Sequence, residues 1–200
     1  MACGVGPLRS DGLIRATIPH VNVTLSPWSV SDADALAFAV GESPELAVQL
    51  GEAVETPAAA RTYIAQYLTD DEGTVAFAIR VDGVAVGHVA LSHIERRNDS
   101  AWASYWVTAS RRGHGLASRA LATIAAHAFD TLGLFRLELG HRVNNPASCR
   151  VATAAGFATE GVERAKLRYG SDRYDVETHA RLSTDPRPQI ELVPRGRSPH

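Results

Sequence analysis

The chain has 200 residues, 45% of them hydrophobic and 21% charged, with a net charge of −2 at neutral pH. That length and balance suit one globular domain with a single sizeable core, and they leave no ground for a nucleic-acid or membrane partner. Two cysteines, Cys3 and Cys149, give neither a disulfide framework nor a zinc spacing. With no apolar run long enough to span a membrane and no leader pattern, a reduced cytoplasmic protein is expected.

Residues 1–19 mix Gly, Pro and scattered apolar residues, which predicts a loose arm with room for a short strand at Leu13 to Thr17. Val21 to Leu25 alternates as the first strand, and Pro27 ends it. Ser31-Asp32-Ala33-Asp34 supplies a cap and an acidic first turn for a helix to about Val40. Glu45 to Leu50 suits a short helix within a region placed to frame a substrate. Thr56-Pro57 opens another helix, to about Leu68. Thr74 to Val81 and Val84 to Leu91 are strands joined by Asp82-Gly83, the preferred two-residue hairpin turn.

Trp102 to Thr108 is the next strand, aromatic and β-branched. Arg111 to Gly115 cannot continue it, because two glycines and two like charges form a tight turn. Leu116, Ala120, Ile124 and Ala128 then recur on one helical face, to about Gly133. A strand that turns through Gly-x-Gly into a helix leaves unpaired N–H groups at the positive end of the helix dipole, a site for an anion. The turn lacks the Gly-Lys-Ser/Thr ending of a nucleotide-triphosphate loop and the third glycine of a dinucleotide fingerprint. Leu134 to Leu139 alternates as a strand. Asn144 or Asn145 caps the last main helix, with Pro146 in its first turn and Gly156 as its stop. Phe157 to Tyr169 and Arg173 to Leu182 form a final antiparallel pair. Residues 183–200 hold four of the ten prolines and no apolar period, which predicts a disordered or loosely attached tail. A single domain over 20–182 is expected. Its fold class is mixed α/β: a mostly antiparallel twisted sheet, helices on both faces and one central parallel strand pair.

Arg112-Gly113-His114-Gly115-Leu116-Ala117 matches the Arg/Gln-x-x-Gly-x-Gly/Ala motif of the GNAT acetyltransferase superfamily. Arg136-Leu137-Glu138, Asn145-Pro146-Ala147-Ser148, Ala155-Gly156-Phe157 and Glu160-Gly161 follow in order. Together with Leu25-Ser26-Pro27-Trp28, Asp32 to Leu36, Tyr169-Gly170 and Asp175, they resemble the ribosomal-protein N-terminal acetyltransferase (RimJ/RimL-like) branch. The resemblance covers roughly residues 20 to 182.

It implies acetyl-coenzyme A as cosubstrate and no metal. The turn of Arg112, Gly113, His114, Gly115, Leu116, Ala117 and Ser118 would hold the pyrophosphate, with glycine at 115 to let the backbone approach. Arg111 and Arg112 either contact phosphate or are solvated charge. The strand Trp106-Val107-Thr108 would diverge from the next strand, take the pantetheine arm as a substitute strand and offer a backbone N–H to the thioester carbonyl. Asn145 would hold the pantetheine amide and Ser148 would serve the leaving thiolate; the alternative is that both merely cap the helix. No protein nucleophile is needed, so Cys149 is assigned to packing. The branch often has a Glu on the strand before the loop, where this chain has Trp102. Glu138 is the remaining candidate base, with pairing to Arg136 or Arg142 as its alternative use, and Glu160 and His141 stand behind it. The expected acceptor is a protein or peptide N-terminal α-amine, with a small-molecule amine or a catalytically silent coenzyme sensor as alternatives. Monomers or homodimers are expected.

Overall fold

The structure is a computed structural model that describes residues 22–51, 54–71 and 73–196. The expected N-terminal arm, its strand at Leu13 to Thr17 and Cys3 lie outside the described residues. Seven strands form one sheet: β1 (Val23–Ser26), β2 (Val75–Val81), β3 (Val84–Glu95), β4 (Ser100–Val107), β5 (Arg136–Arg142), β6 (Ala158–Tyr169) and β7 (Asp172–Leu182). Their order is β1-β2-β3-β4-β5-β7-β6. Every pairing is antiparallel except β4 with β5, as the strand–helix–strand connection demands. Asp82 and Gly83, at φ 50° and 85°, make the expected primed hairpin turn.

Five helices cover the two faces: α1 (Ala33–Glu42), α2 (Pro44–Leu50), α3 (Pro57–Tyr67), α4 (Leu116–Asp130) and α5 (Pro146–Ala154). The first three share a core with Trp28, Ala78, Ala85 and Trp106. On the opposite face, α4 and α5 pack Leu116, Leu121, Ile124 and Ala152 against Leu91, Leu137, Leu139 and Phe157. Ser29, not Ser31, caps the first helical stretch. Its side chain accepts from the Ser31 N–H, and Asp32 returns a bond to the Ser29 N–H at 2.9 Å. Asp32 also takes both terminal nitrogens of Arg80 at 2.8 Å, so it belongs to a half-buried ion pair as well as to the cap.

The loose tail expected from residue 183 is corrected over 183–196. Val193 is buried, its N–H donates to Thr123 Oγ1 at 2.8 Å, and Ile190 packs beside it against the α4 core. Leu25 N–H donates to Pro194 O at 2.9 Å, and Gly196 N–H donates to Leu25 O at 2.7 Å. An extended segment that inserts single apolar residues carries no helix or strand period, so composition alone reads it as a tail.

Candidate active site

The parallel ladder between β4 and β5 is short. Ser100, Ala101 and Trp102 face Arg136, Leu137 and Glu138. Beyond that point the two strands part, although β4 runs on to Val107 and β5 to Arg142. Successive N–H groups along a strand point to opposite edges. Thr108 N–H donates to Val86 O on the β3 side at 2.9 Å, so the Val107 N–H points to the edge that β5 has left. Val107 O is met by Arg112 Nε at 3.2 Å.

A cleft of about 600 Å³ opens along this edge. Its floor is Tyr105, Trp106 and Val107, and one wall is the turn through Gly113 and Gly115 into Leu116, Ala117 and Ser118. The other wall is the start of α5 with Asn145, Ser148 and Val151, and α2 contributes Glu45, Leu46 and Gln49. Four guanidinium groups line it (Arg111, Arg112, Arg142 and Arg150) against one carboxylate, Glu45. The chain's slight negative charge therefore hides a cleft suited to an anion.

Local sequence explains the turn. Gly113 and Gly115 sit at φ 82° and 72°, a left-handed conformation that disfavours residues with a Cβ, and Gly115 caps α4. A Cβ at 115 would meet nothing within 4 Å. The glycine requirement is thus one of backbone conformation; no part of the chain crowds that position. The turn is clamped to the helices on the other side of the sheet. Arg112 donates to Ser43 Oγ at 2.9 Å, and the Ser110 hydroxyl donates to Glu42 at 2.8 Å.

Asn145 is the cap of α5. Its Oδ1 accepts from the Ser148 N–H at 3.2 Å. Tyr105, which the sequence reading passed over, reaches across the cleft to donate its hydroxyl to Ser148 O at 3.1 Å. Burial pushes the Tyr105 phenol up to about 12, so it stays a protonated donor at neutral pH. Trp106 turns the other way, against Trp28 and His88. Its buried indole N–H meets no acceptor among the described residues.

Three expected site residues stand apart from the cleft lining. Thr108 is buried and spends its hydroxyl on Val86 O at 2.8 Å. His114 is exposed and its Nδ1 donates back to Arg112 O at 2.9 Å. Glu138 lies on β5, is not among the residues that line the cleft, and is bound to Arg136 Nε at 2.6 Å, the pairing that is its alternative use. The two reserve bases are committed as well. Arg136 also pairs with Glu160 and holds that carboxyl below its usual range, and His141 is buried against His179. Trp102 puts its ring against Gly140, with Lys166 above it at 5.4 Å.

The model of the acetyltransferase (GNAT) domain family matches residues 22–158. The chain belongs to the GNAT acetyltransferase family. It is 33% identical over 107 residues to the ribosomal-protein-serine acetyltransferase of Escherichia coli (strain K12), a match that spans 53% of this chain and 59% of that relative's length. Among solved structures it resembles Mycobacterium smegmatis RimJ in complex with CoA-disulfide. There the TM-score is 0.72 and the identity 25%, over 81% of this chain and 85% of that one. The microcin C7 self-immunity acetyltransferase MccE, in complex with acetyl-CoA and AMP, shares the fold at a TM-score of 0.74 and 20% identity, over 80% and 92% of the two chains. Among the described residues of this GNAT chain, no helix is long and apolar enough to cross a membrane.

Proposed function

We propose that the protein transfers an acetyl group from acetyl-coenzyme A to the α-amine of a protein or peptide N-terminus. The observation that carries the coenzyme assignment is the gap between β4 and β5, which leads straight into the glycine turn at the start of α4. In this reading the turn from Arg112 to Ser118 and the dipole of α4 hold the pyrophosphate. The pantetheine lies along β4, where the strand edge has no partner, and Asn145 flanks it. The Val107 N–H polarises the thioester carbonyl.

The neutral amine attacks the carbonyl carbon, the carbon–sulfur bond breaks, and the amine's proton leaves to water. Ser148, with Tyr105 fixed behind it, hydrogen-bonds the departing thiolate until that sulfur is protonated. The committed state of Glu138, Glu160 and His141 favours an acceptor that sheds its proton readily. At pH 7.4 roughly a quarter of an α-amine is neutral, against about 0.1% of an alkylamine such as lysine or a polyamine. The E. coli relative's name, a ribosomal-protein-serine acetyltransferase, supports the same acceptor class.

The test is coenzyme-dependent thiol release against short peptides beginning with Ser, Ala or Met, and against polyamines and aminoglycosides. Calorimetry with acetyl-coenzyme A runs beside it. Release with peptides supports the reading. Release with small amines alone moves the acceptor, and absence of coenzyme binding sinks the assignment.

A further inference from the structure

Behind the first turn of α5 the fold gathers His141, Cys149, Glu177 and His179, with ligating atoms all within 4.8 Å of one another. The pairing of β5 with β7 sets Leu139 opposite His179 and His141 opposite Glu177. That register puts both imidazoles and the carboxylate on one face of the sheet, under α5, which carries Cys149. His141 Nε2 lies 3.0 Å from His179 Nε2, and Glu177 Oε1 lies 2.8 Å from His179 Nε2 and 3.4 Å from His141 Nε2. Both histidines are buried.

The surrounding bonds place the protons. Arg142 O only accepts, so His141 Nδ1, 3.0 Å away, carries the hydrogen and Nε2 presents a bare lone pair. Glu177 also only accepts, so His179 Nε2 holds a single proton between two acceptors. His179 Nδ1 faces the Thr159 hydroxyl at 3.4 Å, on the side away from that point. The lone pair of His141 Nε2 and a Glu177 oxygen thus converge on the proton of His179 Nε2, with a thiol alongside.

We propose that His141, Cys149, Glu177 and His179 bind one zinc ion, which takes the place of that proton: His179 carries its hydrogen on Nδ1, toward Thr159 Oγ1, and the Cys149 thiol gives its proton to solvent. With zinc–nitrogen and zinc–oxygen bonds of about 2.0–2.2 Å and a zinc–sulfur bond of about 2.3 Å, tetrahedral ligand atoms lie roughly 3.3–3.6 Å apart. The two nitrogens and the oxygen, 2.8–3.4 Å apart, are already near that spacing, and all four ligand atoms lie within 4.8 Å of one another. Thiolate and imidazole ligands select against magnesium and calcium. Four protein ligands close the sphere, so the ion is structural. The His141 Nδ1 bond to a carbonyl is the outer support that zinc-bound imidazoles use. Bound zinc ties the first turn of α5 to β5 and β7, and so fixes Ser148 and Arg150, the cleft-lining neighbours of Cys149. The sequence reading gave no metal because these residues share no local spacing; strand register assembles them.

The full chain is stripped with EDTA and titrated with Zn²⁺ against a chromophoric chelator, then with Co²⁺ under a spectrophotometer. One zinc per chain is expected, with a near-ultraviolet thiolate-to-cobalt band that Cys149→Ser abolishes. His141→Gln, checked for folding by circular dichroism, should lose more than about 100-fold in zinc affinity, beyond the 10–100-fold that loss of an outer partner brings. Should His141→Gln not fold, the nearly isosteric Cys149→Ser decides by itself. Substoichiometric uptake, a cobalt spectrum with no thiolate band, or a band retained in Cys149→Ser overturns the proposal. None of these readouts involves acetyl transfer.

Discussion

Acid should strip stability from this protein through His88. The imidazole lies on β3 between Trp28 and Trp106, and its Nδ1 accepts from the Trp28 indole N–H at 3.0 Å. Protonation would put a hydrogen on the nitrogen that already accepts one, inside an apolar cluster. Burial accordingly drives the group down from its ordinary 6.5 to about 4. The folded value is the depressed one, so the contribution is full above pH 6.5 and is lost as pH falls toward 4. The whole interval is worth about 3 kcal/mol, of which about 2 kcal/mol is gone between pH 7 and pH 4.5. The assay is urea unfolding followed by tryptophan fluorescence at both pH values, for the wild type and His88→Gln, whose amide oxygen still accepts from Trp28. Other groups titrate equally in both proteins, so the wild type should lose about 2 kcal/mol more than the variant. Equal losses, within about 0.5 kcal/mol, would refute the buried neutral imidazole as the cause.

Gly115→Val puts a β-branched residue at φ 72°, which costs about 1–2 kcal/mol or more locally and reshapes the turn; calorimetry should show acetyl-coenzyme A binding lost. Ser148→Ala leaves the backbone bonds of α5 in place, so turnover should fall further than coenzyme affinity, whereas equal losses would mark Ser148 as part of the cap alone. Tyr105→Phe removes the bond to Ser148 O, and about 1 kcal/mol of stability should go with a drop in kcat. Gly87→Ala sets a Cβ 2.6 Å from Trp106 O, roughly 0.7 Å or more inside ordinary carbon–oxygen contact, and should shift the floor of the cleft at an overpacking cost of about 1–3 kcal/mol. Gly41→Ala, within α1 and with nothing within 4 Å of the added Cβ, is the clash-free control: stability should hold or rise by up to about 1 kcal/mol, and the coenzyme titration should not change.

What the sequence disclosed is what is local in it. The strand, turn and helix from Ser100 to Asp130 are contiguous, so two glycines and a four-residue apolar period suffice to place the glycine turn at the start of α4. The cap of α5 is equally local, and the structure chooses Asn145 over Asn144. Side-chain partnerships across the sheet were not legible, because register decides them. Glu138 alternates correctly on β5, but nothing in its neighbourhood in sequence says that Arg136 and Glu160 close around one another beside it. His88 finds Trp28 sixty residues away. The cluster of His141, Cys149, Glu177 and His179 and the docked segment at 183–196 were missed for the same reason: single residues reach their partners through the fold, without a period to announce them.

Trp102 accounts for where the parallel ladder ends. It forms the last parallel pair, with Glu138, and its ring lies over Gly140 two residues further along β5. A Cβ at 140 would stand 3.2 Å from the ring and 2.7 Å from Val176, so only glycine lets the indole fill this space. The ladder ends where that bulk begins. Beyond it the free end of β4 is held on three sides. Trp106 packs with Trp28 and His88 on one face, Tyr105 is bonded to α5 on the other, and Arg112 occupies the Val107 carbonyl at the edge. Closing the gap by zipping β4 onto β5 would break the Arg112 bond and pull Tyr105 from Ser148. The gap therefore stands open as a property of the packed chain, and a ligand that enters it meets a strand edge already in place.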